Sequence, residues 1–176
     1  MIPEFAYSLY QNFEREGIPL LLAGGWAVSY HGYPRTTLDV DWVCSRSLQA
    51  KAEELMQRLG FDKAADGMAS RFRRANDLSF PFIDLIWVDD VSFSKMAEAD
   101  IERKDSSPVP VISFRALLSM KLFAMKDQEE RDWKDFLDIR SLLRRSPGKI
   151  PEDELKALCD KFAGPDAYQK IRGSGL

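Results

Sequence analysis

Six residues constrain this chain more than any others. Leu38-Asp-Val-Asp-Trp-Val43 alternates apolar and acidic side chains with a period of two, which is how a strand with one apolar and one polar face reads. On such a strand Asp39 and Asp41 leave the same face, about 6–7 Å apart along the strand, while Leu38, Val40 and Trp42 leave the other. Two carboxylates on one face repel each other unless a cation lies between them. Magnesium suits that place, because it takes oxygen ligands and keeps phosphate and water in its shell. The competing reading is a solvated strand face that holds nothing.

Two neighbouring features weigh against the solvated face. Upstream, the apolar run Pro19-Leu-Leu-Leu-Ala23 reads as a buried strand, Gly24-Gly25 follows, and Trp26 to His31 reads as a short helix closed by Gly32. Glycines at a helix start let backbone approach a phosphate, and the helix N-terminus favours anions. Many strand-to-helix turns carry glycine for no such purpose. Downstream, Phe80 to Val88 is a strong strand with Pro81 near its start and Asp84 between Ile83 and Leu85. A carboxylate in so apolar a strand is costly without a metal or a hydrogen-bonding partner, unless that strand has a wet face. This strand is expected to run beside the one carrying Asp39 and Asp41. A glycine turn and three gathered acids are what metal-assisted phosphoryl transfer requires.

The remaining pattern predicts helices over Pro3–Glu16, Ser47–Leu59, Ser113–Lys126, Asp127–Arg145 and Pro151–Phe162, with a turn and short helix from Asp89 to Ala99. Phe61 to Asn76 reads as outer strands turning near Asp66-Gly67, Val109–Ile112 as extended chain, and Gly164 onward as a frayed tail. The expected fold is therefore α/β (α+β): a small mixed sheet flanked by helices over residues 1–112, then a helical C-terminal part over 113–176 packed on that core. A length of 176 residues suits one domain with a small appendage. Hydrophobic residues at 45% and charged residues at 30% supply a real core and exclude disordered, collagen-like and coiled-coil chains.

Charge and cysteine usage narrow the function classes. A net charge of -3 argues against a chain that grips nucleic acid by bulk charge. Cys44 and Cys159 lie far apart with no C-x-x-C pairing, and His31 is the single histidine, so a zinc site is not available. Free thiols in a reducing compartment are the expectation. No basic stretch followed by an apolar one opens the chain, and the apolar run from Ile18 to Val28 is too short to span a bilayer. A cytoplasmic protein with no membrane partner is expected.

With these residues in place, a family resemblance emerges. Leu22-Ala-Gly-Gly-Trp-Ala27 and Gly32-Tyr-Pro-Arg-Thr-Thr-Leu-Asp-Val-Asp41, followed by an acidic strand residue, resemble the nucleotidyltransferase superfamily with the DNA polymerase β-like fold. The chain looks most like the abortive-infection, type IV toxin-like nucleotidyltransferases. It is also similar to the aminoglycoside and lincosamide nucleotidyltransferases, which carry Gly-Gly-Trp-Ala. The likeness covers Leu20 to Val43 well and Ile83 to Trp87 in part. Leu118-x-x-Lys121 and Arg131-Asp-Trp-Lys-Asp135-x-x-Asp138 resemble later motifs of the toxin-like branch.

The resemblance implies transfer of a nucleoside monophosphate from an NTP, ATP included, to an acceptor hydroxyl, with two magnesium ions and release of pyrophosphate. It implies Asp39, Asp41 and Asp84 as metal-holding catalytic residues, with Asp84 also helping to deprotonate the acceptor. Gly24 and Gly25 would meet the phosphates, Lys121 would reach the triphosphate and count with the catalytic residues, and Asp135, the aspartate that follows it in the motif, would take part in nucleotide binding. The acceptor would be a tRNA end, a protein or a small molecule, and a cognate antitoxin would be a partner. The alternatives are an antibiotic-modifying transferase and a degenerate, non-catalytic NTP-binding module.

Other residues carry two readings each. Arg35, in the loop before Asp39, either contacts phosphate bidentately or is solvated. Lys121 lies amid Leu117, Leu118, Leu122 and Phe123, and its competing reading is a snorkelling surface lysine. Asp135 and Asp138 share a helix face and also suit pairing with Lys134, Arg131 or Arg140. His31 reads as a packing residue, Trp26 and Trp42 as core, and Cys44 as an inert core thiol. Arg71, Arg73 and Arg74 read as a solvated strand-edge face.

Overall fold

The computed structural model describes residues 2–77, 79–98, 107–126 and 132–173. The chain divides into two compact units: residues 1–27 with 36–113, and residues 28–35 with 114–176.

The first unit is built on a five-stranded sheet. The strands are β1 (Leu21–Leu22), β2 (Val40–Ser45), β3 (Phe61–Ala65), β4 (Ala69–Arg74) and β5 (Ile83–Val88), in the order β1-β2-β5-β4-β3. β2 and β5 are parallel; the other pairs are antiparallel. Register aligns Val40, Trp42 and Cys44 of β2 with Ile83, Leu85 and Trp87 of β5, and Phe72 and Ser70 of β4 with Ile83 and Leu85. All eight are buried, so this face of the sheet is the core of the unit. Each aliphatic side chain buried there contributes roughly 1.5–3 kcal/mol.

Two helices cover that face, α1 (Glu4–Arg15) and α3 (Gln49–Arg58). α1 turns Ala6, Leu9 and Phe13 inward, and its Tyr10 stacks on Trp42 with centroids 6.0 Å apart. α3 buries Ala52, Leu55 and Met56. Its Glu53 accepts a hydrogen bond of 2.8 Å from the Ser70 hydroxyl, which in turn accepts one of 2.9 Å from the Trp87 indole. These bonds satisfy the Ser70 hydroxyl and the Trp87 indole, as burial demands, while the buried Trp42 indole nitrogen has no hydrogen-bond partner among the described residues. Helix α4 (Asp90–Glu98) follows β5.

The second unit holds α5 (Phe114–Met125), α6 (Asp132–Arg145), α7 (Glu152–Phe162) and α8 (Ala167–Arg172). Leu117, Leu118 and Leu122, Ile139, Leu142 and Leu143, Leu155 and Leu158, and Ile171 form its core. Segment 28–35 belongs here: His31 sits edge-on to Phe114 at 5.6 Å and meets the Lys149 ammonium at 3.4 Å. The remaining helix, α2 (Gly24–Tyr30), starts in the first unit and ends in the second. Among the described residues no helix is long and apolar enough to cross a membrane.

Several local expectations need correction. β2 starts at Val40, not Leu38, so Asp39 stands one residue before the strand and Leu38 is exposed. The Pro19–Ala23 run yields only two strand residues, Leu21 and Leu22. Ser47 does not cap α3; it lies inside a 3-10 turn, Arg46–Leu48. The tail from Gly164 is not frayed over its described part, because Ala167 and Ile171, one turn apart, bury the inner side of α8. Arg71 lies on β4, an inner strand, and not on the sheet edge. Ala99 and residues 127–131, expected within or at the ends of helices, lie outside the described residues.

Candidate active site

The face of the sheet opposite the core carries an acid row. Asp41 of β2 pairs in register with Asp84 of the parallel strand β5, and Asp84 pairs with Arg71 of β4. Register partners on neighbouring strands share a face, about 5 Å apart. Asp84 is buried, at 8% exposure, and both its carboxylate oxygens are taken. Arg71 Nε donates to Oδ1 at 2.8 Å and Nη2 donates to Oδ2 at 2.6 Å. The same Nη2 lies 3.4 Å from Asp39 Oδ2. Hydrogen bonding to Asp84, then the charges of Asp84, Asp39 and Asp41, hold the Arg71 guanidinium more firmly in its charged form. One cation therefore serves a row of three carboxylates.

Gly24 bounds the row from the turn after β1. Its φ is +56°, which glycine adopts without the strain an L side chain meets. A Cβ there would overlap the Asp41 carboxylate and stand 2.8 Å from the Asp41 Cβ. Only glycine leaves Asp41 this space. Gly25 is the next residue of α2, whose seven residues are too few for its dipole to matter much.

The other residues singled out from sequence gather in the second unit. Lys121 of α5 is buried, not snorkelling, at 6% exposure. Its ammonium lies 2.7 Å from Asp135 Oδ1 and 2.6 Å from Asp138 Oδ2, both on α6. Arg35 also faces Asp138, with Nε 2.8 Å from Oδ1 and Nη2 donating to Oδ2 at 3.0 Å. Two cations and two carboxylates thus balance inside the helical unit. The candidate residues fall into two clusters: Gly24, Gly25, Asp39, Asp41 and Asp84 in one unit, Arg35, Lys121 and Asp135 in the other.

Arg71 and Asp138 are the site residues that sequence reasoning undervalued. A buried Asp84 called for a cationic partner, but which cation supplies it is set by the pairing of β4 with β5. The signal for Asp138 was its position one turn after Asp135 and three residues from it, which lets both face one lysine.

Among the described residues, no three His, Cys, Asp or Glu side chains converge to hold a metal ion as they stand. The donor set still fits a hard divalent cation. It is all oxygen, Asp41 and Asp84 lie in register on adjacent strands with Asp39 one residue before β2, and Asp39 and Asp84 already share a single positive group. Gly24 keeps the Asp41 carboxylate clear of any side chain at the turn.

A mixed sheet with acids on its central parallel pair, preceded by a glycine turn, defines a nucleotidyltransferase fold. Solved structures agree. The antibiotic-resistance factor ANT(2'')-Ia, in complex with adenylyl-2''-tobramycin, is similar at a TM-score of 0.65 and 14% identity, over 90% of this chain and 94% of its own. A lincomycin-bound lincosamide antibiotic adenylyltransferase is similar at 0.53 and 17%, over 80% of this chain and 98% of its own. An antigenic nucleotidyltransferase-like protein from Paracoccidioides brasiliensis is similar at 0.53 and 20%, over 96% and 90%. At these identities the likeness establishes the fold. No curated protein sequence matches the chain. The family model for the nucleotidyl transferase AbiEii toxin of type IV toxin–antitoxin systems matches residues 8–172. The chain belongs to that family and is a nucleotidyltransferase.

Proposed function

We propose that this chain moves a nucleoside monophosphate from an NTP to an acceptor hydroxyl, with release of pyrophosphate, and that Asp39, Asp41 and Asp84 form its catalytic face. The observation that carries this reading is the register pairing of Asp41 with Asp84 across β2 and β5. It sets two carboxylates side by side, with Asp39 joined to Asp84 through Arg71. These three residues would hold magnesium, as two ions in the fullest form of the reading. When bound, the metal supplies positive charge to the triphosphate and to the oxygens that attack and leave.

The chain's own residues supply the rest. Gly24 and Gly25 let backbone approach the donor phosphates beside Asp41. Asp84 accepts the proton of the acceptor hydroxyl as that oxygen attacks the α-phosphorus, and pyrophosphate departs. For Arg35, Lys121 and Asp135 the proposal is a part in NTP binding. The family likeness supports it, and their mutual ion pairs give the same residues a structural role as well.

The family description, a type IV toxin, favours a tRNA end or a protein as acceptor and a cognate antitoxin as partner. The fold shared with a structure holding adenylyl-2''-tobramycin adds aminoglycosides to the acceptors worth offering. The test is incubation of the full chain with each α-labelled NTP, magnesium, and separately tRNA, total protein or aminoglycosides. Label entering one acceptor class, lost in Asp39→Ala and Asp41→Ala, is the expected result. Magnesium-dependent NTP binding with no label transferred anywhere would instead favour a non-catalytic module.

A further inference from the structure

We infer that Arg71 is the resident counter-cation of the acid row, and that it competes with a divalent ion for the site, so that metal loads more readily as this guanidinium loosens its hold on Asp84. The inference rests on the reading that Asp39, Asp41 and Asp84 hold the metal.

Three observations carry it. First, both Asp84 oxygens already accept from Arg71, Oδ1 from Nε at 2.8 Å and Oδ2 from Nη2 at 2.6 Å. A metal ligated by Asp84 shares those oxygens with the guanidinium and competes with it for their electron density. Second, the guanidinium already offsets part of the charge that would draw a metal in. Three carboxylates on neighbouring positions repel strongly when bare, and Arg71 reaches two of them. With the guanidinium in place the row carries two net negative charges; without it, three. A second cation arriving beside Arg71 meets both reduced attraction and direct repulsion. Third, Arg71 has a support outside the acid row that it need not give up when it leaves Asp84. Its side chain is 34% exposed, and its guanidinium carbon stands 5.0 Å from the centroid of the Phe82 ring. Phe82 is itself exposed. The cation can slide outward over that ring, keeping cation–π attraction and hydration while giving up the carboxylates.

Arg71 is thus a positioning residue that acts through the carboxylates and sets how readily they take metal. Its fork geometry matters as well as its charge, since a lysine cannot bind both Asp84 oxygens at once.

The experiment is a Mn2+ titration of the full chain, followed by calorimetry and by the loss of free-ion paramagnetic signal, with thermal melts at each metal concentration. It compares wild type, Arg71→Met and Arg71→Lys. Arg71→Met should bind Mn2+ at least about tenfold more tightly, the equivalent of one charge-assisted hydrogen bond no longer in competition. Its metal-free form should melt lower than wild type and gain more from Mn2+. Arg71→Lys should fall between the two, and it decides the matter if Arg71→Met does not fold. Equal or weaker Mn2+ binding in the folded variants overturns the inference while leaving the metal site standing. No Mn2+ binding by wild type or either variant overturns the metal reading itself, and the inference with it.

Discussion

Asp84 and Gly24 are the residues at which a single atom or charge decides the outcome. Asp84→Asn keeps the shape of the side chain and removes its charge, so it breaks the Arg71 fork and removes the proposed base. Transfer should fall by about 10²–10⁴-fold, read from initial rates with labelled NTP, while NTP binding persists through Asp39 and Asp41. Gly24→Ala adds one methyl group where the Asp41 carboxylate lies, at a positive φ. The left-handed backbone costs about 1–2 kcal/mol for a non-glycine residue. A lower melting temperature together with lost transfer is the expected result, and wild-type rates would refute the close approach. The two thiols behave as buried groups should. Burial pushes the Cys44 thiol up to about 12 from an ordinary 9.0, and Cys159 to about 11. Because both folded values are raised, their contribution to stability is complete below pH 9 and is lost as pH rises through about 11 to 12. Urea midpoints measured from pH 8 to 11 should fall more steeply for wild type than for Cys44→Ala. At pH 8 neither thiol should react with a disulfide reagent until denaturant is added.

At the scale of elements, the α5–α6 pair depends on one lysine. Lys121→Ala would leave buried Asp138 with Arg35 and take a cation from Asp135. Breaking a buried pair from one side typically costs about 3–5 kcal/mol, so urea unfolding should show a loss of that order. NTP titration of the still-folded Lys121→Arg then separates a binding role from the structural one. The strands show which elements local pattern reveals. β5 was legible because Ile83, Leu85 and Trp87 alternate against Asp84, and β2 because acids alternate with Val40 and Trp42. Its start was not, since the register with β5 begins only at the Val40–Ile83 pair. α8 escaped notice because six residues with two buried side chains make a weak period. Arg71 escaped for a different reason: its partner is fixed by β4 docking antiparallel on β5, a pairing between distant segments that no local window records. The glycine turn and the three acids were legible because their chemistry is unusual for their surroundings. The cation that neutralises them was not.

On the scale of the whole molecule, the helical unit takes residues 28–35 from within the first 113. Arg35 meets Asp138 there, and His31 meets Phe114 and Lys149. A fragment of residues 1–112 would therefore carry an eight-residue segment stripped of its packing partners. It should show a shallow, low-temperature melt by circular dichroism where the full chain melts cooperatively; a sharp transition at the full-length temperature would show that the segment needs no helical partner. The interleaving also bears on inheritance. The chain passes between units after residues 27, 35 and 113, so one genetic crossover near 113 would join new helices to an old 28–35 segment. The recombinant would keep Arg35 from one parent and Asp138 from the other, with the surrounding packing matched to neither. A protein wired this way resists exchange of its parts by shuffling, because residues 103 positions apart, Arg35 and Asp138, have to be inherited together.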